Sequence, residues 1–173
     1  MPDFPSDLAA PIRLLLTDVD GVLTDGGVYY GAEGEMMKRF NIRDGMGVER
    51  LRAVGVEVGF ITGETSPSVA RRAEKLGVTL LMLGCKAKAA TVAALMEEHG
   101  YAPHEIAYIG DDVNDLDAMM LVGLRCTPAD GLPPIRAVSH YVCAMYAGNG
   151  AFREVAEGII EAKEGGSMGG ASR

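Results

Sequence analysis

Residues 12–26 read I-R-L-L-L-T-D-V-D-G-V-L-T-D-G and carry the strongest signal for fold and chemistry in this chain. An aliphatic run stops abruptly at Asp18, Asp20 and Gly21, which predicts a fully buried strand followed by a tight acidic loop. In an open α/β sheet, ligands bind at the carboxyl ends of the strands. The two carboxylates are therefore candidate functional groups, although a D-x-D pair alone is equally typical of a solvated surface turn.

The rest of the chain alternates predicted strands and helices. Strict alternation predicts a parallel, doubly wound, Rossmann-like α/β sheet with helices on both faces. A small β-hairpin is expected at 26–40, and residues 165–173 are expected to be a disordered, glycine-rich tail after a single domain at 1–164. The predicted strands are 12–16, 56–61, 78–83, 105–109, 123–126 and 140–142, and the predicted helices are 44–54, 67–76, 88–99, 116–121 and 151–163.

Composition excludes several classes of partner. The 173 residues carry a net charge of −8 without a dense basic run, so neither nucleic acid nor an anionic membrane is an expected partner. The three cysteines show no C-x-x-C spacing and the three histidines no H-x-x-x-H spacing, which argues against a zinc site. The N-terminal residues lack the pattern of a signal peptide and no apolar run reaches membrane-spanning length, so we expect a cytoplasmic protein.

Polar residues follow four of the predicted strands. Because the carboxyl ends of parallel strands meet at one edge of the sheet, these residues are expected to converge on one crevice. So many carboxylates need a hard cation, and Mg²⁺ prefers one or two carboxylates together with water and phosphate oxygens. The converging residues are Asp18, Asp20, Thr62, Lys88, Asp111, Asp112 and Asp115.

Four motifs in this order, D-V-D-G-V-L-T, T-G, Lys88 and G-D-D-V-N-D, resemble those of the haloacid dehalogenase (HAD) superfamily. In particular the chain resembles the small branch without a cap domain, whose members act on phosphorylated 2-keto-3-deoxy sugar acids. The resemblance extends over nearly the whole length and includes N-x-R-D-G at 41–45 and G-N-G-A-F-R-E at 148–154. It implies a three-layer HAD fold and an Mg²⁺-dependent phosphatase.

The resemblance also implies a role for each residue. Asp18 is the expected nucleophile that forms an aspartyl phosphate, and Asp20 the expected general acid and base. Thr62 and Lys88 are expected to hold the phosphoryl oxygens. The expected Mg²⁺ ligands are Asp18, the backbone carbonyl of Asp20 and Asp111, with Asp112 and Asp115 supporting them.

Simpler interpretations of single residues stay open at this point. Thr62 could cap the following helix, and Asp115 could be an acidic residue that favours a helix dipole. Lys86 competes with Lys88 for the role of the ammonium group, and Lys88 is preferred because its spacing from Gly84 matches the family pattern.

The substrate is predicted from fewer residues. In relatives that hydrolyse the eight-carbon 3-deoxy-manno-octulosonate 8-phosphate, arginine follows the T-G pair, whereas Glu64 follows it here. Glu64, with Arg72 and Lys75, instead resembles the branch that acts on 2-keto-3-deoxynononic acid 9-phosphate, and we therefore favour the nine-carbon substrate and keep the eight-carbon compound as the alternative. A solvated Glu64 without a substrate role is also compatible with the sequence. The expected substrate-binding residues are Gly63, Glu64, Arg72, Lys75 and Arg43.

Oligomerisation is predicted from the apolar hairpin and from the expected lack of a cap domain to exclude water, and the relatives imply a homotetramer. Two other functions have to be weighed. A phosphoacceptor receiver domain also uses an acidic cluster with Thr and Lys, but it has no acid two residues after its nucleophile. An inactive oligomerisation module would not require intact motifs.

Overall fold

The computed structural model describes residues 3–168, whose strands form a six-stranded sheet and a separate hairpin. The strands are β1 (Leu14–Thr17), β2 (Thr24–Gly31), β3 (Gly34–Phe40), β4 (Glu57–Ile61), β5 (Leu80–Met82), β6 (Ile106–Ile109), β7 (Leu124–Thr127) and β8 (Tyr141–Val142). The large sheet has the order β5-β4-β1-β6-β7-β8, and every neighbouring pair in it is parallel. The predicted parallel α/β sheet is confirmed.

Seven α-helices are assigned within the described residues, and they cover both faces of the sheet. They are α1 (Ser6–Ala9), α2 (Ile42–Ala53), α3 (Pro67–Leu76), α4 (Lys88–His99), α5 (Leu116–Met119), α6 (Pro133–Val138) and α7 (Ala151–Met168). Alternate side chains of β1 point to opposite faces. Leu15 packs in one apolar cluster with α1, α2, α3 and α7, whereas Leu14 and Leu16 pack in another with α4, α5 and α6. The predicted three-layer architecture is therefore confirmed.

Local sequence signals explain where the helices begin and end. The Ser66 hydroxyl accepts a hydrogen bond from the Val69 amide at the start of α3, Pro67 is the first helical residue, and Gly77 ends the helix with φ +64°. Helix α2 begins at Ile42, earlier than predicted, because the Asn41 side chain accepts from the Arg43 amide and caps it. Helices α1 and α6 were not predicted.

The hairpin of β2 and β3 is confirmed, and its antiparallel register places Val28 opposite Lys38. Helix α7 continues to Met168, so residues 165–168, which were assigned to the tail from the sequence, are helical. The remainder of that predicted tail, 169–173, lies outside the described residues, and the division at residue 164 stays a prediction. Within residues 3–168, no helix combines the length and apolarity needed to cross a membrane.

Candidate active site

Asp18 lies at the carboxyl end of the central strand β1. Its backbone amide donates to the carbonyl of Ile109 on β6 at 2.9 Å, so the sheet ladder fixes its backbone on that side. The residue is only 4% exposed. Burial, together with the charge of Asp115, raises the pKa of Asp18 to about 6, although Lys88 opposes the shift. A carboxylate in this position needs positive charge nearby to stay ionised.

Lys88 supplies part of that positive charge. Its Nζ lies 3.0 Å from Oδ1 of Asp18 and 2.6 Å from Oδ1 of Asp115, and its side chain is 1% exposed. Burial alone would lower the pKa of this ammonium, but the two carboxylates outweigh it and raise the pKa. Lys86, the alternative from the sequence, has a side chain that is 76% exposed and pairs with Glu64 at 3.4 Å. The geometry therefore favours Lys88 as the cation beside Asp18.

Asp115 is the second carboxylate that contacts the ammonium group of Lys88. Its Oδ1 also accepts the hydroxyl of Tyr108 at 2.7 Å, and its Oδ2 accepts the backbone amide of Asp111 at 3.2 Å. The residue is fully buried. An acid with these partners does more than favour a helix dipole, because it fixes the ammonium of Lys88 and the loop that carries Asp111. Tyr108 was not singled out from the sequence, although a tyrosine inside the aliphatic strand I-A-Y-I signals a buried hydroxyl that needs a partner.

Asp111 has a carboxylate oxygen that no described residue satisfies. Its Oδ1 is buried and has no hydrogen-bond partner among residues 3–168. Burial, followed by the charges of Asp18 and Asp115, raises the pKa of Asp111 to about 8. Carboxylate oxygens of Asp18, Asp111 and Asp115 lie within 4.8 Å of one another. An orphaned, buried oxygen in an acidic cluster is the environment that a hard divalent cation stabilises, so these residues fit a metal ion.

Thr62 follows β4 and is buried beside the cluster. Its hydroxyl oxygen accepts the backbone amide of Glu64 at 3.1 Å, which leaves the hydroxyl hydrogen available to another acceptor. The cap of α3 is Ser66, so Thr62 is not the helix-cap residue.

Asp20 contacts Lys38, a residue that the sequence analysis did not identify as part of the site. Nζ of Lys38 on β3 lies 2.7 Å from Oδ1 and 2.8 Å from Oδ2 of Asp20. No local pattern predicts this pair, because it depends on how the hairpin folds over the loop after β1. The side chain of Asp20 is thus engaged by Lys38, and the predicted metal contact of its backbone carbonyl stays a prediction.

A cleft of about 260 Å³ opens above these residues. Gly63 and Glu64, two of the predicted substrate-binding residues, line it. Arg43 lines a different cavity, beside α7, while Arg72 donates to the carbonyl of Asn41 at 3.0 Å and Lys75 is exposed on α3. The cleft is lined by Asp18, Asp20, Thr62, Gly63, Glu64, Cys85, Lys86, Lys88, Asp111, Asp112 and Asn114.

The structure thus brings the predicted catalytic residues together and leaves Arg43, Arg72 and Lys75 outside the cleft lining. Their role in substrate binding stays a prediction. Asp112, predicted as a supporting residue, lines the cleft, and its carboxylate accepts the amide of Val113 at 2.6 Å.

Comparison with known proteins gives consistent matches. A family model described as haloacid dehalogenase-like hydrolase matches residues 42–123. The chain is 41% identical over 156 residues to the 3-deoxy-D-manno-octulosonate 8-phosphate phosphatase of Yersinia pestis. This alignment covers 90% of this chain and 83% of the relative. The corresponding relative from Haemophilus influenzae is 38% identical over 152 residues, covering 88% of this chain and 84% of the relative.

The solved structures agree with the sequence matches. The Yersinia pestis crystal structure superposes with a TM-score of 0.90 at 40% identity, covering 94% of this chain and 88% of that chain. The phosphatase from Moraxella catarrhalis, in complex with a magnesium ion, a phosphate ion and KDO, has a TM-score of 0.89 at 37% identity and covers 94% of each chain. The chain therefore belongs to the haloacid dehalogenase superfamily, in the branch of the 3-deoxy-D-manno-octulosonate 8-phosphate phosphatases, and is a phosphoric monoester hydrolase.

Proposed function

We propose that this chain is an Mg²⁺-dependent phosphatase that hydrolyses 3-deoxy-D-manno-octulosonate 8-phosphate (KDO 8-phosphate) to the free sugar acid and inorganic phosphate. The observation that carries the proposal is the 41% identity over 90% of the chain to a phosphatase named for this substrate. The nine-carbon substrate favoured from Glu64, Arg72 and Lys75 is less well supported, because the relatives reported above are named for the eight-carbon compound. The presence of Glu64 is weaker support for a substrate than the similarity to these relatives.

The reaction begins with Asp18. One of its carboxylate oxygens attacks phosphorus, the bond from phosphorus to the ester oxygen breaks, and Asp20 gives its proton to the departing alkoxide. Water then attacks the phosphorus of the aspartyl phosphate and loses a proton to Asp20. The bond between phosphorus and the Asp18 oxygen breaks, which releases phosphate and restores both carboxyl groups.

Positive charge around Asp18 supports both steps. Lys88, whose Nζ lies 3.0 Å from Asp18, and the hydroxyl of Thr62 would contact the phosphoryl oxygens as negative charge develops on them. Asp18, the backbone carbonyl of Asp20 and Asp111 would hold Mg²⁺. When bound, the cation neutralises the acidic cluster and keeps Asp18 ionised while a phosphate dianion enters.

The assignment of Asp18 can be tested with Asp18→Asn. The amide is close in size but is a poor nucleophile, so we expect kcat to fall by about 1,000-fold or more while the circular dichroism spectrum is unchanged. Retained phosphate release by this variant would contradict the assignment. Absence of phosphate release from the unsubstituted protein on any phosphorylated sugar acid would favour the inactive oligomerisation module.

Substrate choice needs a direct comparison. With Mg²⁺ present, we expect kcat/KM for KDO 8-phosphate to exceed that for 2-keto-3-deoxynononic acid 9-phosphate by about tenfold or more. A preference for the nine-carbon compound would restore the prediction based on Glu64, and Glu64→Gln would then be the variant that reduces the preference.

We also propose that the chain works as a homo-oligomer, with a tetramer as the expected state. The hairpin exposes Tyr29 at 60%, Tyr30 at 72%, Met36 at 64% and Met37 at 54%, an apolar surface that another copy of the chain could bury. Light scattering that gave a monomer with full activity would contradict this proposal.

A further inference from the structure

Lys38 is a buried cation that has no role among the residues assigned above. Its side chain is 1% exposed, and its ammonium group contacts both carboxylate oxygens of Asp20, at 2.7 and 2.8 Å. Asp20 itself is 23% exposed and lines the cleft. The contact therefore joins a residue of the reaction site to a lysine that solvent cannot reach.

A buried lysine is costly unless its charge is matched. Lys38 has a second acidic neighbour, Glu35, whose Oε2 lies 3.6 Å from Nζ. The other oxygen of Glu35 accepts the hydroxyl of Ser66, the residue that caps α3. One polar network thus joins the loop after β1, the hairpin and the segment that begins at Thr62.

We propose that Lys38 is a positioning residue that holds the carboxyl group of Asp20 at the leaving oxygen of the substrate. This inference rests on the proposed function, in which Asp20 gives a proton to that oxygen. A carboxylate oxygen accepts more than one hydrogen bond, so Lys38 can hold both oxygens while leaving lone pairs for other partners. Because Lys38 is fixed by Glu35 and by its burial, it restricts the rotation of the Asp20 side chain.

The sharpest test compares two leaving groups. An alkyl phosphate such as KDO 8-phosphate releases a strongly basic alkoxide that needs a proton, whereas 4-nitrophenyl phosphate releases a stable phenolate that does not. For Lys38→Met, we expect kcat/KM to fall by about 30-fold or more with KDO 8-phosphate, since misplacing a catalytic group by about 1 Å can cost about 100-fold. With 4-nitrophenyl phosphate we expect a loss of about threefold or less, which also shows that the variant folds.

Two further variants separate positioning from structure. Arg39→Met removes the neighbouring cation of β3, which pairs with Asp25 at 2.9 Å but has a side chain that is 48% exposed and is absent from the cleft lining. We expect it to leave kcat/KM unchanged with both substrates. Lys38→Arg retains the charge and should recover part of the activity that Lys38→Met loses with KDO 8-phosphate.

A double-variant cycle with Asp20→Asn identifies which claim fails. If Lys38 acts through Asp20, adding Lys38→Met to Asp20→Asn should lower kcat/KM with KDO 8-phosphate by about twofold at most. Equal losses on the two substrates, or no loss, for Lys38→Met would overturn the role of Lys38 while leaving the proposed function intact, provided that Asp20→Asn shows the selective loss. If Asp20→Asn loses nothing selectively, the role of Asp20 in the proposed function fails as well.

Discussion

Nζ of Lys88 lies 2.6 Å from Oδ1 of Asp115, and both side chains are withdrawn from solvent. The same ammonium is 3.0 Å from Asp18, so one positive charge serves two buried carboxylates. Asp115 in turn accepts the hydroxyl of Tyr108. The cation beside the proposed nucleophile is therefore also held by Asp115, a residue that is not in the cleft lining.

Removing the positive charge should damage both activity and stability. In Lys88→Met, Asp18 and Asp115 would lose their shared cation in a buried site, so we expect the free energy of unfolding to fall by about 3–5 kcal/mol and phosphatase activity to be lost. Urea unfolding measures the first effect. Lys86→Met is the matched control for stability, because an exposed pair at 3.4 Å is worth about 0–1 kcal/mol. Similar destabilisation by both variants would contradict the special role of the buried network.

The metal-free protein should become less stable as pH rises. The pKa of Asp18 is raised from 3.8 to about 6 and that of Asp111 from 3.8 to about 8, so the folded state binds these protons more tightly than the unfolded chain. Their contribution to stability is complete below pH 3.8 and is lost as pH rises through 6 and then 8. We expect urea unfolding in EDTA to show this decline.

Two comparisons test the origin of that pH dependence. Asp111→Asn should remove the part of the decline nearest pH 8 and stabilise the metal-free protein there, because it deletes a carboxylate that burial disfavours. Saturating Mg²⁺ should restore stability at pH 8 in the unsubstituted chain, since the cation binds the ionised carboxylates. A pH profile unaffected by Asp111→Asn would contradict the assignment.

Gly21 is expected to control metal binding through its lack of a side chain. Its φ is +92°, and a Cβ atom there would overlap Oδ2 of Asp111. In Gly21→Ala we expect the increase in melting temperature caused by Mg²⁺ to be lost, because Asp111 is displaced. Gly26→Ala is a matched control, since Gly26 also has a positive φ, +74°, but no atom of the described part of the chain lies within 4 Å of a Cβ built there. Loss of the Mg²⁺ effect in both variants would point to backbone strain instead.

Arg72 and Lys75 were predicted together but lie in different surroundings. Arg72 donates to the carbonyl of Asn41 and lies over the ring of Phe40 at 5.7 Å, whereas Lys75 is exposed. Arg72→Met should lower the free energy of unfolding by about 1–2 kcal/mol, and Lys75→Met by about 0.5 kcal/mol or less. KM for KDO 8-phosphate, measured for both variants, tests their predicted role in substrate binding, which an unchanged KM would contradict.

The parts of the fold that follow from short-range patterns could be predicted. Aliphatic runs that end at Asp18, Thr62 and Gly110 mark three parallel strands, and their common edge brings Asp18, Thr62 and Asp111 to one cleft. Strand order was not predicted, because it depends on packing between distant elements.

The contact between Lys38 and Asp20 shows the limit more clearly. The two residues are 18 apart in sequence, and the hairpin carries one of them across the loop that holds the other. The periodicity of a sequence predicts which side chains share one face of a strand, but it does not predict which residues pack against that face. For Arg43 and Arg72, the sequence predicted a contact with the substrate that the fold does not show. Both side chains lie outside the cleft lining in the structure.

The central position of β1 in the sheet affects how partial unfolding would change the active site. This strand is hydrogen-bonded to β4 on one side and β6 on the other, and the amide of Asp18 extends the ladder to Ile109. Partial unfolding at an edge strand such as β8 leaves that ladder closed. Amide exchange at Asp18 should therefore require β1 to separate from β6 at the centre of the sheet, and the proposed nucleophile would be among the last residues to lose its native position.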